Sequence, residues 1–179
     1  KRNNALSPET GEPVKKSELQ VVMAPLLGLL LLLGGLLDGA QQDAAAAEIR
    51  KEPFVVAGHQ AFVIRPPEKK LEPIPWVLYA PTLGSNLPGK SEAWMFKRFL
   101  DAGIAIAGVN VGESYGSPAG RKTYTALYEK LVKDEGFDTK VSLLARSRGG
   151  LMLYCWAAEN PEKIRCITGI YPVCNLASY

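Results

Sequence analysis

The decapeptide from Val141 to Gly150, Val-Ser-Leu-Leu-Ala-Arg-Ser-Arg-Gly-Gly, constrains the fold of this chain more than any other stretch. An apolar run, Val141-Ser142-Leu143-Leu144, leads straight into a small-x-Ser-x-Gly sequence. Gly149 to Asn160 then reads as a helix that is apolar on most faces, with Pro161 just past its end. The apolar run predicts a strand buried on both faces, as parallel strands are. A strand that turns into a helix within four residues has no room for bulky side chains at the corner. Ala145 and Gly149, two residues either side of Ser147, meet that steric demand, and Gly150 leaves room for the helix to pack on the sheet. Ser147 is therefore expected at the carboxyl end of a strand and the amino end of a helix, its hydroxyl held above the sheet.

The rest of the chain from Glu52 repeats the alternation. Phe54 to Ala57 and Ala61 to Ile64 predict two short strands around a turn at Gly58-His59-Gln60. Arg65 to Pro75 reads as a linker rich in proline and charge, Trp76 to Ala80 as a buried strand, and Thr82 to Gly89 as a loop. Ser91 to Leu100 reads as a helix stopped by Gly103, and Ile104 to Val109 as the next strand. Val111 to Gly120 reads as loop. Tyr124, Leu127, Tyr128, Leu131 and Val132 then recur at helical spacing until Gly136. Ile164 to Ile170 closes as one more strand. Strands separated by helices of ten to fifteen residues predict an α/β fold, a predominantly parallel sheet with helices on both faces.

A chain of 179 residues is long enough for one domain with a real core. Its net charge is only +3, and lysines and arginines are scattered among acids, so no nucleic-acid partner is expected. The chain divides by composition. Residues 1–20 are polar, lack periodicity and read as a disordered extension. Val21 to Leu37 is almost wholly apolar, follows Lys15-Lys16 and precedes small residues as far as Ala47. Residues 21–47 thus read as a cleaved secretory signal, with an uncleaved membrane anchor or a buried helix as alternatives. Met23 is an alternative start. Residues 52–179 form the folded part. The chain opens on Lys1 and closes just after an apolar segment, so both ends read as cut and a longer product is expected. The three cysteines, Cys155, Cys166 and Cys174, have no metal-site spacing. They read as small core residues, with pairing in an exported protein as the alternative.

The order of elements and the Ala145-Arg146-Ser147-Arg148-Gly149 corner resemble the α/β-hydrolase superfamily, over roughly Phe54 to Tyr179. Gly112-Glu113-Ser114-Tyr115-Gly116-Ser117-Pro118, Leu151 to Tyr154 and Ile170 to Cys174 are similar to exported esterases or prolyl-oligopeptidase-like hydrolases. The resemblance implies a C-terminally truncated α/β-hydrolase fold, with Ser147 as the nucleophile that attacks an ester or peptide bond and forms an acyl-serine. The backbone N–H of Arg148, at the helix start, is placed to stabilise the oxyanion. The resemblance implies a second donor in the loop after the third strand, from Thr82 or Leu83. The triad acid and histidine that the resemblance implies belong after the serine, at positions this chain does not contain, so the fragment alone is expected to be inactive. A small-molecule or peptide substrate is expected, and no cofactor or metal.

Each residue also has a plainer reading. Ser147 fits a helix-capping serine. His59 fits a turn residue rather than a base. Arg146 and Arg148 fit structural or solvated roles, with a substrate carboxylate as the alternative. Glu113 and Ser114 fall on the expected substrate rim. Trp94, Phe96 and Phe99 read as core, and Asp134, Glu135 and Asp138 as a solvated helix end. The glycines from Gly112 to Gly120 lack the spacing of a phosphate loop. The alternative function is a non-catalytic, hydrolase-like binding domain tethered to a membrane through residues 21–37.

Overall fold

The computed structural model describes residues 50–68, 71–83 and 87–178. The expected extension, signal or anchor lies outside the described residues. Among them, the elements are β1 (Glu52–Val56), β2 (His59–Ile64), β3 (Trp76–Ala80), α1 (Lys90–Asp101), β4 (Ala105–Val109), α2 (Pro118–Glu135), β5 (Val141–Arg146), α3 (Gly149–Glu159) and β6 (Ile164–Ile170). The strands form one sheet in the order β1-β2-β4-β3-β5-β6. β1 pairs with β2 and β2 with β4 in antiparallel fashion. The remaining pairs, β4 with β3, β3 with β5 and β5 with β6, are parallel. The expected α/β architecture is present.

Successive residues of a strand point to opposite faces, and β3 uses both. Val77 and Tyr79 pack with Phe62, Ile106 and Leu144 against Phe96 and Leu100 of α1. Trp76, Leu78 and Ala80 pack on the other face with Tyr124, Leu127 and Leu131 of α2 and Met152, Leu153 and Trp156 of α3. Helices thus cover both faces, and all five residues of β3 and of β4 are buried.

Besides Trp94, expected in the core but 64% exposed, three local details differ from expectation. The β1–β2 turn is made by Ala57 and Gly58, both at positive φ as a two-residue hairpin requires. His59 is therefore the first residue of β2, paired with Val56, and not a turn residue. Helix α2 begins at Pro118, two residues before the end of the expected loop. Ser117 caps it, accepting from Gly120 N–H at 3.4 Å, and proline at the first helical position has no N–H to leave unpaired. The third detail is the core reading of the cysteines, which fails at β6, a mostly exposed strand. β6 is the sheet's outer strand, so Cys166 is exposed rather than core; Cys174, beyond it, is exposed too, and all three cysteines are free. A groove of 580 Å³, lined in part by Trp76, Phe99, Ile104, Leu144 and Thr168, opens beside it. Among the described residues no helix is long and apolar enough to cross a membrane.

Candidate active site

Ser147 is the first residue after β5, and its φ is +47°, a left-handed conformation rare for a residue with a Cβ. Such a conformation costs about 1–3 kcal/mol and persists only where the surroundings over-determine it. They do so here. The Ser147 N–H donates to the Ile170 carbonyl at 3.0 Å. The Ser147 carbonyl accepts from Gly150 N–H at 3.0 Å and from Val173 N–H at 2.7 Å. A Cβ on Gly149 would overlap the Ala80 carbonyl and lie 2.8 Å from the Pro81 nitrogen. A Cβ on Gly150 would overlap the Val173 carbonyl oxygen and lie 2.8 Å from its nitrogen. Both glycines let backbone approach backbone, and Ala145 is fully buried in the sheet. Ser147 does not cap α3. Arg148 is the residue flanking that helix, and its side chain makes no capping bond. The plainer reading of Ser147 as a capping serine is thereby set aside.

The neighbouring strand end supplies the next residues. Ala80 of β3 lies opposite Ala145 of β5 in parallel register. Thr82 and Ser147 each stand two residues beyond this last pair, past the ends of both strands. Ala80 and Pro81 lie against Gly149, so the chain that continues to Thr82 and the half-buried Leu83 leaves β3 next to the strand-to-helix elbow formed by Ser147 and Arg148. The Thr82 side chain is buried and turned over Gly108 of β4, away from β5.

Glu113 and Ser114 separate. Glu113 is ion-paired with Arg148 and so ties the loop after β4 to the elbow, at its rim. Ser114 is buried against Gly120 and faces inward. Its expected place on the rim is corrected: the first turn of α2 closes over it. Arg146 and Arg148 both sit on protein carboxylates, Glu92 and Glu113. His59 Nδ1 is bonded to the Asn110 carbonyl at 2.9 Å. β2 stands three strand spacings from β5, roughly 14 Å.

A polar cluster under the elbow escaped the sequence reading. Glu92 of α1 has a side chain only 3% exposed. Its carboxylate accepts from Arg146, from the Tyr79 hydroxyl at 3.1 Å and from Gly89 N–H at 2.8 Å. Arg146 also donates through Nε to the Tyr171 hydroxyl at 2.7 Å. Burial first, and then the charge of Glu92, pushes the Tyr79 hydroxyl above its ordinary range. Arg146 is held more firmly protonated than usual, chiefly by its hydrogen bonds to Tyr171 and Tyr79. The signal that could have found Glu92 is its spacing from Gly89: a glutamate at the third helical position reaches back to the cap. Among the described residues, no group of three His, Cys, Asp or Glu is placed to hold a metal ion.

No family model and no curated protein matches the chain. Solved structures do. A puromycin-hydrolyzing peptidase from Mycobacterium tuberculosis superposes with a TM-score of 0.56 at 18% identity, over 75% of this chain and 24% of that one. A candidate carboxylesterase from Lactobacillus plantarum gives 0.55 at 18% identity, over 73% of this chain and 62% of that one. An epoxide hydrolase from Vigna radiata gives 0.52 at 18% identity, over 69% and 40%. At such identities the likeness is one of fold, and the chain spans 24% to 62% of the length of these structures.

Proposed function

We propose that this chain, whose fold is that of the α/β-hydrolases, carries the nucleophile of a serine hydrolase that cleaves an ester or a peptide bond. One observation carries the reading: Ser147 occupies a strained, positive-φ position at the carboxyl end of an inner parallel strand, held there by the close approach of Gly149 to Ala80. Strain of this kind clusters at catalytic positions, and ligands of open α/β sheets bind beyond the carboxyl ends of the strands.

In the proposed reaction the Ser147 hydroxyl oxygen attacks the acyl carbonyl carbon while a general base takes its proton. The carbonyl oxygen becomes an oxyanion that the N–H groups of Arg148 and of Thr82 or Leu83 stabilise. The C–O or C–N bond to the leaving group then breaks, the protonated base returns its proton, and water later releases the acyl group from Ser147. The base is not His59, the sole histidine of the sequence. We place the triad histidine and acid in polypeptide that follows this sequence in a longer product, which agrees with the partial coverage of the solved structures. Esters are the preferred substrate class, and residues 21–47 are proposed to export the enzyme to the periplasm or medium.

The full-length gene product is expected to react with a fluorophosphonate, and its Ser147→Ala variant is not. Labelling that is the same in both would overturn the proposal. A second reading, a hydrolase-like binding domain without catalysis, is favoured by one observation: His59 is engaged by Asn110, far from the elbow. It requires the full-length product to ignore the probe altogether.

A further inference from the structure

The cluster beneath the elbow spans three parts of the sheet. Glu92 comes from α1, Tyr79 from β3, Arg146 from the end of β5 and Tyr171 from the segment just after β6. Burying a carboxylate is expensive unless its lone pairs are satisfied. Glu92 meets that condition through a guanidinium, a phenol and a backbone N–H. It caps α1 with one oxygen, Oε2, and spends the other, Oε1, on Arg146 and Tyr79. The cap alone needs only the first. The second oxygen is directed at the residue immediately before Ser147.

Arg146 connects two unusual backbone positions. Ser147 and Tyr171 are both non-glycine residues at positive φ, at +47° and +37°. They stand at the ends of adjacent strands, and the Ser147 N–H donates to the carbonyl of Ile170, next to Tyr171. The Arg146 guanidinium lies 5.8 Å from the centre of the Tyr171 ring and donates to its hydroxyl at 2.7 Å. A single side chain thus fixes the residue before the elbow to the segment that closes over it, and Glu92 fixes that side chain from below. The glycine contacts hold Ser147 from the helix side. The Glu92–Arg146 pair holds it from the strand side.

We propose that Glu92 is a positioning residue for Ser147, acting through Arg146: its buried charge locks the strand end from which the serine projects. This rests on the reading of Ser147 as a nucleophile. Glu92 does not touch the reacting atoms. It keeps the Arg146 side chain from swinging into solvent, which would release both Tyr171 and the last residues of β5. Three variants test it: Glu92→Gln, which keeps the size and the cap, Arg146→Gln, and the two combined.

In the full-length product, we expect Glu92→Gln and Arg146→Gln each to slow fluorophosphonate labelling at Ser147 at least tenfold. The double variant should be no slower than the worse single variant, because both changes cut one link. A purely structural role would instead make labelling follow melting temperature across the three variants. Hydrogen exchange reads the same link without chemistry. Glu92→Gln should speed exchange in the peptide over residues 145–152 at least tenfold while leaving residues 105–109 of β4 unchanged. Labelling of Glu92→Gln within twofold of the parent overturns the inference. So does unchanged exchange over 145–152, even if the parent protein ignores the probe and the nucleophile reading itself has failed.

Discussion

Gly149 lies against Ala80 so closely that a Cβ on it would overlap the Ala80 carbonyl. The first residue of α3 therefore touches the last residue of β3, and the turn at Ser147 cannot be wider. We expect Gly149→Ala to destabilise the fold by about 2 kcal/mol or more, because the atoms it meets are backbone and cannot rotate away. Urea unfolding measures this. A loss below about 0.5 kcal/mol would mean that the elbow is looser than described.

Ser147 gives the opposite sign. A residue with a Cβ at positive φ carries a penalty that glycine does not. Ser147→Gly is expected to raise stability by about 1 kcal/mol, the size of a typical left-handed penalty. It should also abolish reaction with the probe. A fall in stability would show that the Ser147 side chain contributes packing that outweighs the strain.

Buried tyrosines contribute to the response to alkali, Tyr79 and Tyr128 among them. Burial, then Glu92, raises the Tyr79 hydroxyl, and burial, then Glu162 and Asp138, raises that of Tyr128. In the unfolded chain both titrate near 10. Below that pH both states hold these protons, and the contribution to stability is complete. Above it the unfolded chain gives up protons that the native state still binds, so stability falls as pH rises from about 10 toward the raised native values. Urea midpoints measured from pH 8 to 11.5 should fall above pH 10, and Tyr79→Phe should flatten that fall. An unchanged slope in Tyr79→Phe would place the alkaline transition elsewhere.

The outer strand carries its own consequence. Ile167 is 50% exposed on β6 and Leu176 is 61% exposed just beyond it. An unpaired strand edge with apolar side chains is a template for association. The chain as given is expected to self-associate with rising concentration in sedimentation velocity, and Ile167→Lys to shift it toward monomer. Identical distributions for the two would exclude β6 as the contact.

The sheet was legible because its strands are continuous apolar runs and its helices are marked by stops, Gly103, Gly136 and Pro161 among them. The elbow was legible because its steric demand falls on residue types, Ala145 and Gly149, that a sequence displays directly. What could not be read were distances between segments far apart in the chain. Glu92 and Arg146 are separated by 54 positions, and only the sheet order brings α1 under β5. Ser114 was misplaced for a related reason: its loop reaches the rim, but the capped first turn of α2 covers the residue. The exposed Cys166 was misread because a parallel strand at the edge of a sheet has the same apolar sequence as one at its centre.

The central claim is that Ser147 is a nucleophile. The direct measurement is peptide mapping by mass spectrometry of the full-length gene product after reaction with a fluorophosphonate. One adduct per molecule is expected, on the peptide holding Ala145 to Gly150, with the added mass on Ser147. An adduct on any other residue, or a fully folded product that takes up no label, would contradict it.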